Sequence, residues 1–333
     1  MSYDAAILTH YLAPIRAALD GPDVLEVVVN RPGEFGVERP DGWSWVRAPD
    51  LTAETLTRIA VAAAAATHQD VGPTQPVCST VLPSGERCQV VLPPAAEAVS
   101  LTLRKPSARL MGLEDLAQNG FFRPAAAAPA AARGVDGGLT ALREAGDWPG
   151  FFRTAVRDRR NILVSGATGS GKTTFAKALI QLVPPEERII TIEDAREFTV
   201  PHRNCVHLLY AKDGQGLARV GPRDLLESAL RMRPDRILLQ ELRDAAAYFY
   251  LRNVNTGHPG SISTVHANSA RLAFEQLTLL VKESDAGRDL HRDDIRHLLI
   301  GLVDIVVHVE RRDGRFRLTE VWHEPYRPRA VAA

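Results

Sequence analysis

A chain of 333 residues is long enough for two domains, each with its own core. Its 40 basic residues balance 40 acidic ones, which excludes a global field that gathers nucleic acid or an anionic membrane; no strong direct nucleic-acid binding is expected. No run reaches the roughly 18 apolar residues that a membrane span needs; the greasiest windows, Ile59–Ala66 and Leu298–Val309, are short, and Asp304 breaks the second.

The N-terminus carries an acid where a secretory signal has a basic cluster, so no such signal is expected. Over Ala5–Leu19 the apolar residues fall near helical spacing, and Asp20-Gly21-Pro22 stops the run. Such a face covers a sheet, a membrane or a partner. Strand-like runs follow at Val24–Asn30, Glu34–Glu38 and Trp43–Val46, separated by Arg31-Pro32-Gly33 and Pro40-Asp41-Gly42. Leu51–His68 is alanine-rich and predicts a helix with Asp50 as its cap. Ser79–Leu82, Arg87–Leu92 and Val99–Arg104 read as further strands. Residues 1–123 therefore predict a small α+β domain. Cys78 and Cys88 flank a hairpin, Cys205 stands apart, and no C-x-x-C pair is present, so the three are expected as free thiols in a reducing cytoplasm.

Residues 124–138, PAAAAPAAARGVDGG, lack the large apolar side chains of a core and predict a linker that acts as a hinge. From 139 to 333, strands and helices alternate, which predicts an α/β fold with an open, largely parallel sheet and helices on both faces. The strands fall at Ile162–Ser165, Arg188–Ile192, Cys205–Leu209, Arg236–Gln240 and Ser261–Val265, with a closing hairpin around Arg312-Asp313-Gly314.

The chemistry centres on Asn161–Thr174, NILVSGATGSGKTT, where G-x-x-x-x-G-K-[ST] sits between an apolar strand and an amphipathic run. Gly166, Ala167, Thr168, Gly169, Ser170 and Gly171 supply a tight backbone whose N–H groups turn toward phosphate oxygens. Lys172 brings charge to the β- and γ-phosphates, Thr173 a hydroxyl for Mg²⁺, and Thr174 continues the helix N-terminus. The expected ligands are ATP and Mg²⁺. Three more stretches extend the site. Glu193 and Asp194 end an apolar strand, where one carboxylate orients or deprotonates the attacking water and the other holds Mg²⁺ through water. Glu241 ends a second apolar strand in RILLQELRD and is a further metal or base candidate. In GHPGSISTVHAN, His258 opens a turn and His266 ends the next run, both expected on the same sheet edge and able to sense the γ-phosphate.

Taken in order, loop, acidic strand, glutamate strand and histidine turn resemble the secretion-ATPase superfamily. VVVNRPGEFGVE, TVLPSGERCQVVLPPA, LTLRKPS and LRMRPDRILLQELRD narrow the resemblance to the P-type DNA-transfer ATPase of type IV secretion systems, over nearly the whole chain except 124–138. The resemblance implies a RecA-like motor domain and a homohexameric ring. It implies a position at the cytoplasmic face of the inner membrane, peripheral to it, among the inner-membrane components of a type IV secretion system. There the ring powers pilus assembly and export of DNA–protein or effector substrates. It assigns Glu193 to the acidic box, Glu241 to the Walker B position and His266 to the histidine box. It makes Arg104, and more weakly Arg87, the arginine that reaches the γ-phosphate from the N-terminal domain. The primary assignment of the base is Glu193, with Glu241 the other candidate. Gln240 departs from the family's usual glycine. A type IV pilus or type II secretion motor, and a nucleotide-gated scaffold with negligible turnover, are the alternatives.

Overall fold

The computed structural model describes residues 3–106, 138–211, 216–243, 246–254 and 257–323. In the N-terminal part, helices α1 (Tyr3–Leu19) and α2 (Ala53–Ala65) pack with a sheet of β1 (Glu26–Val29), β2 (Gly33–Arg39), β3 (Gly42–Ala48), β4 (Val77–Val81), β5 (Arg87–Val91) and β6 (Ser100–Arg104). The sheet is antiparallel throughout, in the order β3-β2-β1-β6-β5-β4. Leu8, Leu12, Ile15 and Leu19 recur at helical spacing and are buried, so this stripe of α1 belongs to the core. At about 1.5–3 kcal/mol for each buried large apolar side chain, it holds α1 in place. Helix α2 is capped by Thr52, which accepts from the Thr55 N–H at 3.1 Å; Asp50 lies too early to do so. The β4–β5 register sets Cys78 against Val90 and Cys88 against Thr80, so the thiols are not opposite one another, and all three cysteines are free.

The remainder carries α3 (Leu139–Glu144), α4 (Trp148–Arg157), β7 (Ile162–Ser165), α5 (Lys172–Ile180), β8 (Ile189–Glu193) and β9 (Cys205–Leu209). Then come α6 (Pro222–Ala229), β10 (Arg236–Leu239), α7 (Ala246–Val254), β11 (Ile262–Val265), α8 (Ala270–Glu283), α9 (Arg292–Leu302), β12 (Ile305–Arg312) and β13 (Arg315–His323). One group of strands runs β10-β8-β9 and another β11-β7-β12-β13. They join where Thr264 N–H donates to Gln240 at 3.1 Å and Leu242 N–H donates to Thr264 at 2.7 Å. The result is one sheet, β9-β8-β10-β11-β7-β12-β13, parallel except for β13. Gln240 is accommodated without breaking that junction: its carbonyl also accepts the Thr264 hydroxyl at 2.8 Å. Apolar clusters lie on both faces, one around Phe151, Phe152 and Ile180, the other around Tyr250, Phe274 and Leu277. The strands of the inner sheet are buried on both sides, which is why they read as continuous apolar runs.

The linker expected at 124–138 lies outside the described residues apart from Gly138. The described parts meet through a buried polar contact. Arg188, fully buried, donates to Asn30 at 2.8 Å, to Thr102 at 3.4 Å and to Asn204, while Gln89 donates to Ser228 at 3.0 Å. Beside them the Leu209 N–H donates to the Ala95 carbonyl at 2.8 Å, so the chain at 95–96 pairs with β9 at the edge of the parallel sheet.

Candidate functional site

Parallel strands end at one edge of a sheet, and the loop after β7 opens there. At the end of β7, Ser165 is held between β11 and β12, opposite Val265 and His308, and its hydroxyl bonds to Val307 O at 3.0 Å and His308 Nδ1 at 2.9 Å. The loop leaves no room for a side chain at two of its glycines. A Cβ on Gly166 would stand 2.3 Å from Ser170 Oγ and 2.5 Å from Val309 O. Gly171, at φ +96°, would press its Cβ to within 2.8 Å of the Phe316 ring. Ala167, Thr168 and Gly169 form the exposed crest, and Ser170 turns its hydroxyl inward, buried and with no hydrogen-bond partner among the described residues. Helix α5 starts at Lys172, so its free N–H groups and positive dipole end face the loop.

Only 7% of Lys172 is exposed. Its Nζ donates to the carbonyls of Gly166 at 2.9 Å and Ala167 at 3.0 Å, and to His266 Nδ1 at 3.3 Å. Because an ammonium can only donate, His266 Nδ1 accepts and its proton sits on Nε2, 3.6 Å from Glu241 Oε1. Burial lowers the Lys172 pKa, opposed by the nearby charges of Glu241 and Glu197. A buried cation held by carbonyls, an unpartnered buried hydroxyl and a helix N-terminus together fit an anion with several acceptor oxygens. They fit a polyphosphate, whose oxygens would take up these donors. Thr173 lies in the first turn of α5 and Glu241 beside His266, two oxygen-bearing side chains that would fit a hard divalent cation next to such a polyphosphate.

The other sequence-predicted residues separate. Glu193 is fully buried, and both of its oxygens are occupied. Oε1 accepts from the Thr191 hydroxyl at 2.8 Å and lies 3.6 Å from both Arg196 and His207; Oε2 accepts the backbone N–H groups of Glu197 and Phe198 at 2.8 Å each. Burial pushes its pKa up, but these hydrogen bonds outweigh it and hold the carboxylate below its ordinary range. Held in this way and shut off from solvent, the Glu193 carboxylate fixes the turn that follows. That turn brings Glu197, exposed at its side chain, close enough for its charge to be felt at Lys172. Glu197 is the residue the sequence reading missed, although its carboxylate stands four positions after Glu193 in IEDARE.

Asp194 is likewise not turned to the loop; it pairs with Arg243. His258 precedes β11 and His266 follows it, so they sit at opposite ends of one strand and not on one edge. His258 lies near Arg233, burial and that charge lowering its pKa. Arg87 and Arg104 are neighbours in the β5–β6 register and line a cavity of about 440 Å³ with Leu230 and Arg231. Arg104 is paired in register with Glu26, which lies 3.9 Å from Arg233 ahead of β10, at the start of the parallel strands. The phosphate loop opens at the strands' other ends. Within one chain, neither arginine is brought to Lys172.

The family described as Type II/IV secretion system protein matches residues 144–308. The chain is 48% identical to the type IV secretion system protein VirB11 of Bartonella quintana, over 98% of this chain and 95% of that protein. It is 45% identical to VirB11 of Brucella suis, over 98% and 93%. Among solved structures, the VirB11 ATPase from the Brucella suis type IV secretion system in complex with sulphate superposes with a TM-score of 0.91 at 44% identity, covering 98% of this chain and 97% of that one. No helix among the described residues is long and apolar enough to cross a membrane. By identity over nearly its whole length and by its superposition on a solved relative, the chain belongs to the VirB11 family of type IV secretion ATPases.

Proposed function

We propose that this ATPase holds MgATP in the loop between Gly166 and Thr174 and uses its hydrolysis to drive a homohexameric ring. The ring sits at the cytoplasmic face of the inner membrane, docked on inner-membrane components of a type IV secretion system. There it energises pilus assembly and substrate export. The observation that carries this reading is Lys172: a buried ammonium, held by loop carbonyls, with Glu241, Glu197 and His266 gathered beside it.

In the proposed chemistry Lys172 and the N–H groups of the loop balance the charge on the β- and γ-phosphates. Thr173 and Glu241 would hold Mg²⁺, which would supply further neutralisation of the phosphate charge. Glu197 has no ion pair among the described residues, so it is free to orient and deprotonate the attacking water for in-line displacement. His266 links Lys172 to Glu241 and so registers the presence of the terminal phosphate. Arg87 and Arg104 face away from their own chain's loop, and we assign them to a neighbouring copy's nucleotide. An arginine finger is worth about 10³–10⁵ in rate, so turnover depends on assembly.

Phosphate release measured across protein concentrations tests this. The expected result is turnover per protomer that rises steeply as the ring forms, with mass photometry reporting hexamers over the same range. Negligible turnover at every concentration would favour the nucleotide-gated scaffold, and turnover independent of assembly would remove the arginine contribution.

A further inference from the structure

A nucleotide held in the loop has two ends, and the neighbouring strands distinguish them. Lys172, His266 and Glu241 lie toward β10 and β11, so the terminal phosphate points that way. Since β7 stands between β11 and β12, the nucleoside end of the same molecule must leave on the opposite flank, toward β12 and β13. That flank is not flat. Strand β12 stays in register with β7 as far as His308, opposite Ser165, and then continues to Arg312 before β13 returns. Those four further residues project about 13 Å beyond the point where β7 gives way to the loop.

On this projecting hairpin Phe316 is 55% exposed, yet it is not a stray surface residue. Its ring lies against the backbone of Gly171, so close that a Cβ there would stand 2.8, 2.9 and 3.3 Å from three ring atoms. The ring is thus anchored on the N-cap of the phosphate-binding helix and leaves much of its surface to water. Arg311, directly across the hairpin in the Arg311–Phe316 pair, shares that side of the ribbon and adds positive charge. An exposed aromatic alone says little. An exposed aromatic fixed to the phosphate loop, on the flank where the base must emerge, is a stacking platform.

We infer that Phe316 stacks on the base of the bound nucleotide and so determines that the loop takes a nucleoside polyphosphate in preference to a bare polyphosphate. The inference rests on the reading that the loop binds ATP. Affinity for ADP and for inorganic tripolyphosphate, measured by calorimetry on the full chain, tests it. Phe316→Ala is expected to weaken ADP about 10- to 100-fold while leaving tripolyphosphate unchanged, and Phe316→Tyr to restore ADP binding. ADP affinity untouched by Phe316→Ala would overturn the inference, as would an equal loss of both ligands, which would make the ring a support for the loop only. Should the parent chain bind neither ligand, the nucleotide reading itself fails, and the inference with it.

Discussion

Glu193 and Glu241 both end apolar strands, but their surroundings give them different work. Burying a carboxylate is costly unless it is hydrogen-bonded, and Glu193 meets that requirement from its own chain: the Thr191 hydroxyl and two backbone N–H groups occupy it. Glu241 remains partly open, with His266 as its neighbour. Glu197 stands in water, yet close enough for Lys172 to sense it. In the proposed chemistry this divides a residue that shapes the acidic turn from one that performs proton transfer. Glu197→Gln is expected to slow the chemical step by about 10²–10⁴ with ATP affinity and melting temperature retained. Glu193→Gln is expected to lower the melting temperature, by about 1–3 kcal/mol of stability, because a neutral amide serves the two backbone donors poorly and adds an unpaired N–H. Single-turnover hydrolysis beside thermal melts separates the two. A Glu193→Gln protein that melts like the parent yet cannot cleave ATP would return the base to Glu193.

At the scale of the element, most of the fold was legible. The inner strands could be read because burial on both faces leaves uninterrupted apolar runs such as Ile189–Ile192, and the loop because its spacing, strand and helix agree. Several things were not. Helix α4 begins Trp148-Pro149-Gly150, which looks like a turn; the Asp147 side chain accepting the Gly150 N–H at 2.9 Å makes it a capped helix start, and Phe151 and Phe152 then enter the core. The α2 cap fell on Thr52 and not on Asp50, since the cap's hydroxyl accepts the N–H three residues on, that of Thr55. His258 and His266 are eight positions apart in the sequence and were read as one cluster, but a strand between two residues carries them to opposite edges. The same geometry keeps Arg87 and Arg104 from their own chain's loop: a motif shows which residue type is present, while the direction of its strand decides which end of the sheet it serves. The hairpin carrying Phe316 was predicted, but its function was hidden, because only the fold brings residue 316 onto Gly171.

At the scale of the whole molecule, the contact between the N-terminal sheet and the motor sheet is buried, with Val91, Ala95 and Ala96 in the second part's apolar cluster and a set of polar bonds beside them. Arg188 bridges the two sheets, its pKa pulled down by burial to about 10. Close by, Glu26 on β1 is 2% exposed, with Arg233 of the motor part 3.9 Å away. Burial, with the like charge of Glu38 adding to it, pushes Glu26 up to about 7 despite Arg104, Arg188 and Arg233. The sign of the pH effect follows. Between the unfolded carboxyl's value of 4.5 and about 7, the folded protein holds a proton that the unfolded chain has lost. The stability that Glu26 contributes is therefore fully present below that window, is lost as the pH rises through it and levels off above. Glu26→Gln is expected to flatten this slope and raise stability at pH 8 by up to about 3 kcal/mol, read from melts between pH 5 and 8. A slope unchanged by the substitution would mean that another group sets it.

The proposed motor function depends on a polyphosphate gripped by one buried lysine at the edge of the parallel sheet. Measuring ATP binding and phosphate release for Lys172→Ala addresses that dependence most directly. The prediction is a protein that melts within a few degrees of the parent, binds neither ATP nor tripolyphosphate at concentrations that saturate the parent, and releases no phosphate above background. A Lys172→Ala protein that binds and cleaves ATP as the parent does would contradict it.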